Sequence, residues 1–488
     1  MKKKTLLSSI LVIALCLTLI VGSTFALFTS EDSVNIVVDA GHVEIAASLT
    51  EPILYSVQPD ANGAEFDENG KPYTYYEQSG SFANGGTATL NQTTGEIELE
   101  NITPGDKIVF NLNGTNNSDV KVQYRYKLEC VKGHDLMKGF VVTVNGTKYA
   151  SMAAYTSAWE PLAKGENIMV DTVDGGVEFA LELPVSAGNE FQDLSATIKL
   201  SVEAIQDNAD ISDTDEIAVQ YITSVANEVE LAAKLASDDY LHIFIDEDLD
   251  QEVVVDFDMT DKTIDANGNN VVISFGDKTT PVTLENVVIK NINDTPDETP
   301  AVTVTPNVSG DITITDSVLY NGAKTPYGAI ACANCGITLD VTVDNCKLIS
   351  GVGAVDADGN PVYGEKYGLY LTNANNVTVR NTSFEGFGSW AIIVNGQTQG
   401  NIVVSDCTFT NCAGILKTSI KGVDSSWQHG SLNGNLTFAN NTMVNCTMKD
   451  GTYMQVKNLY GTLTFSNNTH NGVVVTPEDM KGIVLTNP

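Results

Sequence analysis

The chain has 488 residues, with 26 Lys and Arg against 62 Asp and Glu, a formal charge of −36 and a pI near 4.2. That length predicts two or three domains. Such acidity argues against nucleic acid and anionic lipid as partners, since like charge repels both. Arginine occurs only at Arg125 and Arg380, so an arginine clamp for phosphate or carboxylate is not available.

Residues 1–26 read as a signal peptide. Lys2, Lys3 and Lys4 form a basic start, Leu6 to Val21 is apolar without a charge, and Thr24 and Ala26 are small residues placed for cleavage. Cleavage between Ala26 and Leu27 is predicted, in preference to an uncleaved anchor, because the run is short for a membrane span. Losing the three signal lysines takes the mature chain to −39. The expected product is exported, free of the membrane, secreted or held at the cell surface. Its new N-terminus is an apolar arm. Val34, Ile36 and Val38 alternate with Asn35 and Val37, so the arm can pair as a strand in its own sheet or be donated to a neighbour's sheet edge.

Residues 27–205 carry a period of two, the signature of half-buried strands. Val120, Val122, Tyr124, Tyr126 and Leu128 alternate with Lys121, Gln123, Arg125, Lys127 and Glu129. Ala196, Ile198, Leu200, Val202 and Ala204 repeat the pattern, as do the residues of VEFALEL at 177–183. Turn-forming stretches at 67–73, 103–106 and 113–119 separate such runs. An all-β antiparallel sandwich follows.

Residues 206–240 are predicted to be an acidic linker and then a short capping helix. Val229, Leu231, Ala232, Leu235 and Ala236 are assigned to its apolar side, Asn227 to its N-cap, and Glu230 reaches back.

From 241 to 488 an eight-residue unit recurs: VTLENVVI (282–289), ITITDSVL (312–319), VTVDNCKL (341–348), VTVRNTSF (377–384), IVVSDCTF (402–409), LTFANNTM (436–443) and LTFSNNTH (463–470). Positions one and three are apolar. Position five is Asn286, Asp316, Asn345, Asn381, Asp406, Asn440 or Asn467. Asn and Asp tolerate a left-handed bend, and stacked copies can form a hydrogen-bonded ladder. Position six is small or polar at Ser317, Cys346, Thr382 and Cys407, which suits an inward site. An irregular period with a constant unit predicts a right-handed parallel β-helix of seven or eight coils, with insertions in loops.

Two families share these features. The segments GSTFALFTSEDSVNIVVDAGHVEI (22–45), 102–130 and 181–209 resemble the TasA/camelysin family in that family's order. The resemblance implies export through a SipW-type signal peptidase, a jelly-roll sandwich and assembly into extracellular matrix fibres of a Gram-positive-type bacterium. Residues 240–485 resemble the pectate-lyase-like β-helix superfamily, which implies a fold and little about function.

The chemistry-bearing groups are sparse. The histidines, His42, His134, His242, His429 and His470, form no H-E-x-x-H, so a zinc protease lacks its ligands. Cys332 and Cys335 make a CxxC without a second pair, and the mature cysteines (Cys130, Cys332, Cys335, Cys346, Cys407, Cys412 and Cys446) read as buried packing groups. Cys407 with Cys412, or Cys346 with Cys407, are pairs a solenoid could bring near one another. Asp356 and Asp358 form a fragment of a calcium loop, making calcium a candidate ligand; no other cofactor is expected. Tyr363, Trp427 and His429 sit in insertions and are candidate sugar contacts. For a polysaccharide lyase, Arg380 would need neighbours such as Asp344 and Lys347.

The expectation is a non-enzymatic surface or matrix protein. Its partners would be further copies of itself or related fibre subunits, with extracellular polysaccharide as a candidate ligand. A polysaccharide-binding adhesin, or a lyase or glycosidase acting through the β-helix, is the alternative.

Overall fold

The computed structural model describes residues 30–33, 43–63, 65–66, 70–168, 176–207, 216–249, 251–271, 273–275, 281–290, 302–304, 311–321, 330–332, 340–350, 367–372, 374–396, 400–421, 427–429 and 431–485. The chain is almost entirely strand and divides into two compact units, residues 1–222 and 223–488.

The first unit is a sandwich of two antiparallel sheets. In one, Asp106–Asn116 is central: Val177–Glu182 pairs with one edge, and Ile45–Leu49 and Ile53–Pro59 share the other. In the second sheet Val122–Lys132 pairs with Ser195–Gln206 over almost its whole length. The alternation explains this arrangement. Val122, Tyr124, Tyr126 and Leu128 are buried, as are Ile108, Phe110 and Leu112 and, opposite them, Phe179 and Leu181. Phe110 stacks on Phe179 at 5.3 Å, and Tyr126 meets the same ring edge-on at 5.8 Å. Each such side chain contributes roughly 1.5–3 kcal/mol by leaving water. Val120 departs from the expected face. It precedes the strand and is 37% exposed, because the turn at 117–120 ends the pleat before it.

Ala218–Val225, inside the stretch predicted as linker, is a strand, and its residues 218–221 pair with Met152–Thr156. The ordered sandwich sequence therefore runs past residue 205.

The second unit begins with a helix, Glu228–Leu235. Asn227 Oδ1 accepts from Glu230 N at 3.0 Å, and the Glu230 carboxylate accepts from Ala226 N, one residue before the cap. Leu231 and Leu235 are buried, but Val229 is 80% exposed, so the helix's apolar side is narrower than its composition suggests. Behind it Lys262, buried at its head, donates to the carbonyls of Ser237 and Tyr240 and ties the helix's end to the first coil.

The rest is a parallel β-helix with three faces. Face 1 stacks eight strands: Met259–Thr260, Val282–Glu285, Ile312–Thr315, Val341–Asp344, Val377–Arg380, Ile402–Ser405, Leu436–Ala439 and Leu463–Ser466. Face 2 runs from Tyr240–Ile245 to Thr469–His470, and face 3 from Val253–Val255 through Met454–Leu459. Neighbouring face 1 strands pair without a register slip, Val341 with Val377 and Val377 with Ile402, for example. Inward columns are thereby built from like residues, such as Leu284, Ile314, Val343, Val379, Val404 and Phe438, all fully buried. Period-2 residues with a coil length free to vary give this outcome, because only the strand unit must stay in phase.

Candidate functional site

The bend between faces 1 and 2 organises the solenoid's surface. Asn286, Asp316, Asn345, Asn381, Asp406, Asn440 and Asn467 all adopt left-handed φ between 51° and 58°, and Asp261 adds an eighth residue to the column. The backbone N–H of each of Asp261, Asn286, Asp316, Asn345, Asn381, Asp406 and Asn440 donates to a carbonyl of the following coil at 2.9–3.1 Å. The side chains add a directional ladder. Asn286 donates to Asp261, Asn345 to Asp316, Asn440 to Asp406 and Asn467 to Asn440. An ionised aspartate has no proton to give. The side-chain series therefore restarts at Asp316 and Asp406, where the backbone bond alone continues.

One residue inward, a second column satisfies buried amides. Ser317 Oγ accepts from Val287 N, Thr382 Oγ1 from Cys346 N, and Asn441 Oδ1 from Cys407 N. Asn468 repeats this for Asn441. The thiols of Cys346 and Cys407 sit in the same column, and burial pushes them up to about 11 and about 12. A further left-handed column, Gly386, Asn411, Asn445 and Asn471, follows face 2 and has no counterpart in the sequence reading.

Outside the ladder, the second residue of each face 1 strand points to solvent. Thr283, Thr313, Thr342, Thr378, Thr437 and Thr464 line up in register, interrupted once by Val403. The fourth residues are mixed, and there Arg380 Nη2 lies 2.8 Å from Asp344 Oδ2 of the preceding coil. Asn381 Nδ2 donates to the other oxygen of the same carboxylate at 2.8 Å. Lys347 pairs with Glu385 at 3.6 Å. Arg380, Asp344 and Lys347 thus fall on three strands of two adjacent coils, and each charge already has a partner. Acidic side chains at the entrance to face 1 are used similarly: Asp340 accepts from Asn375 Nδ2 and from both the backbone and side chain of Asn376.

At the C-terminal end, a cavity of about 320 Å³ is lined by Met443, Tyr453, His470, Val473–Val475, Asp479 and Met480. His470 Nε2 is 3.1 Å from Cys446 O, and the ring meets Tyr453 edge-on.

In the sandwich, the informative feature is an edge. Ser195–Gln206 gives one edge to Val122–Lys132. Its other edge is divided: Glu96–Glu100 pairs with 195–199, and Ser30–Ser33 pairs antiparallel with 201–204. Ser33 lies opposite Ser201 and Glu31 opposite Glu203. Glu203 is gripped by Arg125 and Lys127 from the neighbouring strand. Burial raises its carboxyl, but the hydrogen bonds and charges of Lys127 and Arg125 outweigh that and hold it below the usual glutamate range. Arg125 also lies over the Trp159 ring at 4.6 Å.

The remaining sequence candidates are not assembled into a site here. Thr24, Ala26 and Leu27, the arm residues Val34, Ile36 and Val38, and Asp356, Asp358 and Tyr363 lie outside the described residues. The backbone of Trp427–His429 forms a strand antiparallel to Ser419–Lys421. The thiols brought together are neither Cys407 with Cys412 nor Cys346 with Cys407. Cys412 and Cys446 lie in adjacent coils near enough for each to shift the other's titration, while Cys412 Sγ donates to Phe384 O and Cys446 Sγ to Phe409 O.

Comparison with protein families matches residues 309–487 to the family described as the right-handed β-helix region. Comparison with curated proteins gives no match. Among solved structures, the catalytic unit of a thermostable GH87 alpha-1,3-glucanase from Streptomyces thermodiastaticus strain HF3-3 aligns at 10% identity and a TM-score of 0.21, covering 91% of this chain and 97% of that one. The catalytic domain of a GH87 alpha-1,3-glucanase variant in complex with tetrasaccharides aligns at 10% identity and 0.18, covering 93% and 99%. Superpositions this weak say nothing about the chemistry of this chain.

Proposed function

We propose that this chain is an exported, non-enzymatic protein of the cell surface or extracellular matrix, whose sandwich assembles with further copies and whose β-helix is displayed. The observation that carries the proposal is the divided edge of Ser195–Gln206. The backbone of Ser30–Ser33, within the N-terminal arm, fills the half of that edge that Glu96–Glu100 leaves open. A terminal strand paired at an edge, here through the four described residues Ser30–Ser33, can be exchanged for the equivalent strand of another copy, which converts a self-paired monomer into a chain of copies. The resemblance of residues 20–210 to TasA/camelysin proteins supports the same reading. So does the use of Asp340, Asp344 and Asp406 in coil stacking, since these carboxylates serve the fold.

Electron microscopy of the mature protein, with and without residues 27–38, tests this. Filaments from the mature chain that disappear on truncation are expected. Unchanged filaments in the truncated form, or none in either form, would count against it.

The threonine row of face 1 favours a second reading, a polysaccharide-binding adhesin. Six hydroxyls in register offer repeated hydrogen bonding to a polymer with its own repeat. Co-sedimentation with insoluble polysaccharide, lost in a T342V/T378V variant that keeps its melting temperature, would support that role.

A further inference from the structure

We propose that Cys412 and Cys446 are a redox pair that closes to a disulfide between adjacent coils of the β-helix. They follow the left-handed residues Asn411 and Asn445, whose φ values are 54° and 51°, and so occupy the same place in successive coils. Asn411 N donates to Val444 O and Thr447 N to Cys412 O, both at 2.9 Å, and these bonds fix the register on either side. Adjacent strands lie about 4.7–4.9 Å apart, inside the roughly 4.4–6.8 Å that a disulfide spans between Cα atoms. Both side chains are buried and turn into the same interior.

The two thiols are not equivalent. Burial, with Cys446 beside it, pushes the Cys412 thiol well up, whereas the neighbouring Cys412 side chain pulls Cys446 down. Cys446 is therefore the more readily deprotonated of the two and the one assigned to react first. Its carbonyl adjoins His470 in the wall of the C-terminal cavity, which brings solvent-sized space to within one residue. The other described thiols lack a partner thiol at this distance. Cys346 and Cys407 share a column, but Thr382 occupies the coil between them, and Cys130 is in the sandwich.

With a peroxide as oxidant, the Cys446 thiolate attacks one peroxide oxygen and the O–O bond breaks, giving a sulfenic acid and, after protonation, water. The Cys412 sulfur then attacks the sulfenic sulfur, the S–S bond forms, and hydroxide leaves with the Cys412 proton as a second water. Two thiols lose two electrons and one peroxide gains them.

The test uses the full chain, fully reduced, desalted and exposed to equimolar hydrogen peroxide, then denatured, alkylated and digested for mass spectrometry. The expected product is a peptide carrying Cys412 linked to the one carrying Cys446, with the remaining thiols alkylated. Cys412→Ser and Cys446→Ser should each abolish the link, and Cys407→Ser should leave it. The wild-type map stands without any variant. Complete alkylation after oxidant, a link joining a different pair, or Cys446 oxidised to sulfinic acid beside a free Cys412 would each overturn the proposal.

Discussion

Arg380 of one coil donates to Asp344 of the coil before it, and the same carboxylate accepts from Asn381 through its other oxygen. The residue a lyase would need as a free base is thereby a stacking group on face 1. The Arg380 side chain is 54% exposed, so solvent screens the pair. Arg380→Ala is expected to cost at most about 1 kcal/mol, read as a shift of the denaturation midpoint. A loss of several kcal/mol would mean that Arg380 does more than bridge two coils.

The ladder makes a directional prediction. Asp316 and Asp406 accept from the following coil but cannot donate to the preceding one. Asp316→Asn and Asp406→Asn each supply the missing donor, as Asn467 already does for Asn440. Each should stabilise the β-helix by about 0.5–1.5 kcal/mol in urea denaturation. A destabilisation would show that the negative charge, not the missing proton, is what the site needs.

At Asn345, φ is 51°. Asn345→Ala forces an alanine into the left-handed region and removes the bond to Asp316, at a cost of about 1–3 kcal/mol. Asn345→Gly relieves the backbone and should recover most of the loss. Equal melting of the two variants would locate the effect in the side-chain bond alone.

Glu203 links the sandwich to pH. Its folded pKa is depressed, so its contribution to stability is complete above the unfolded value and is lost as pH falls through the folded one. Acid titration of the wild type should therefore lose more stability below the ordinary glutamate range than titration of Glu203→Gln does. Parallel titration curves would remove Glu203 from the account.

The fold was readable because its determinants are local. Alternation decides which side chains of Val122–Leu128 turn inward, and an Asn or Asp after the face 1 strand is the residue type that accepts a left-handed bend. The divided edge at 195–206 was not readable in this way, since Ser33 and its partner Ser201 are far apart in sequence and no local pattern encodes the pairing. The Cys412–Cys446 contact was hidden for another reason. It depends on coil length through an insertion, and on a second bend column marked by Gly386 in one coil and by Asn411 in the next. Val229 misled because helical spacing names a stripe without saying how wide the core beneath it is.

The most direct test of assembly through the arm uses the register of Ser33 with Ser201. Two variants, Ser33→Cys and Ser201→Cys, are mixed after signal removal, allowed to assemble and oxidised. A disulfide joining the two different chains is the predicted result. Crosslinking confined to a single chain that carries both substitutions, with none between the mixed variants, would contradict strand exchange.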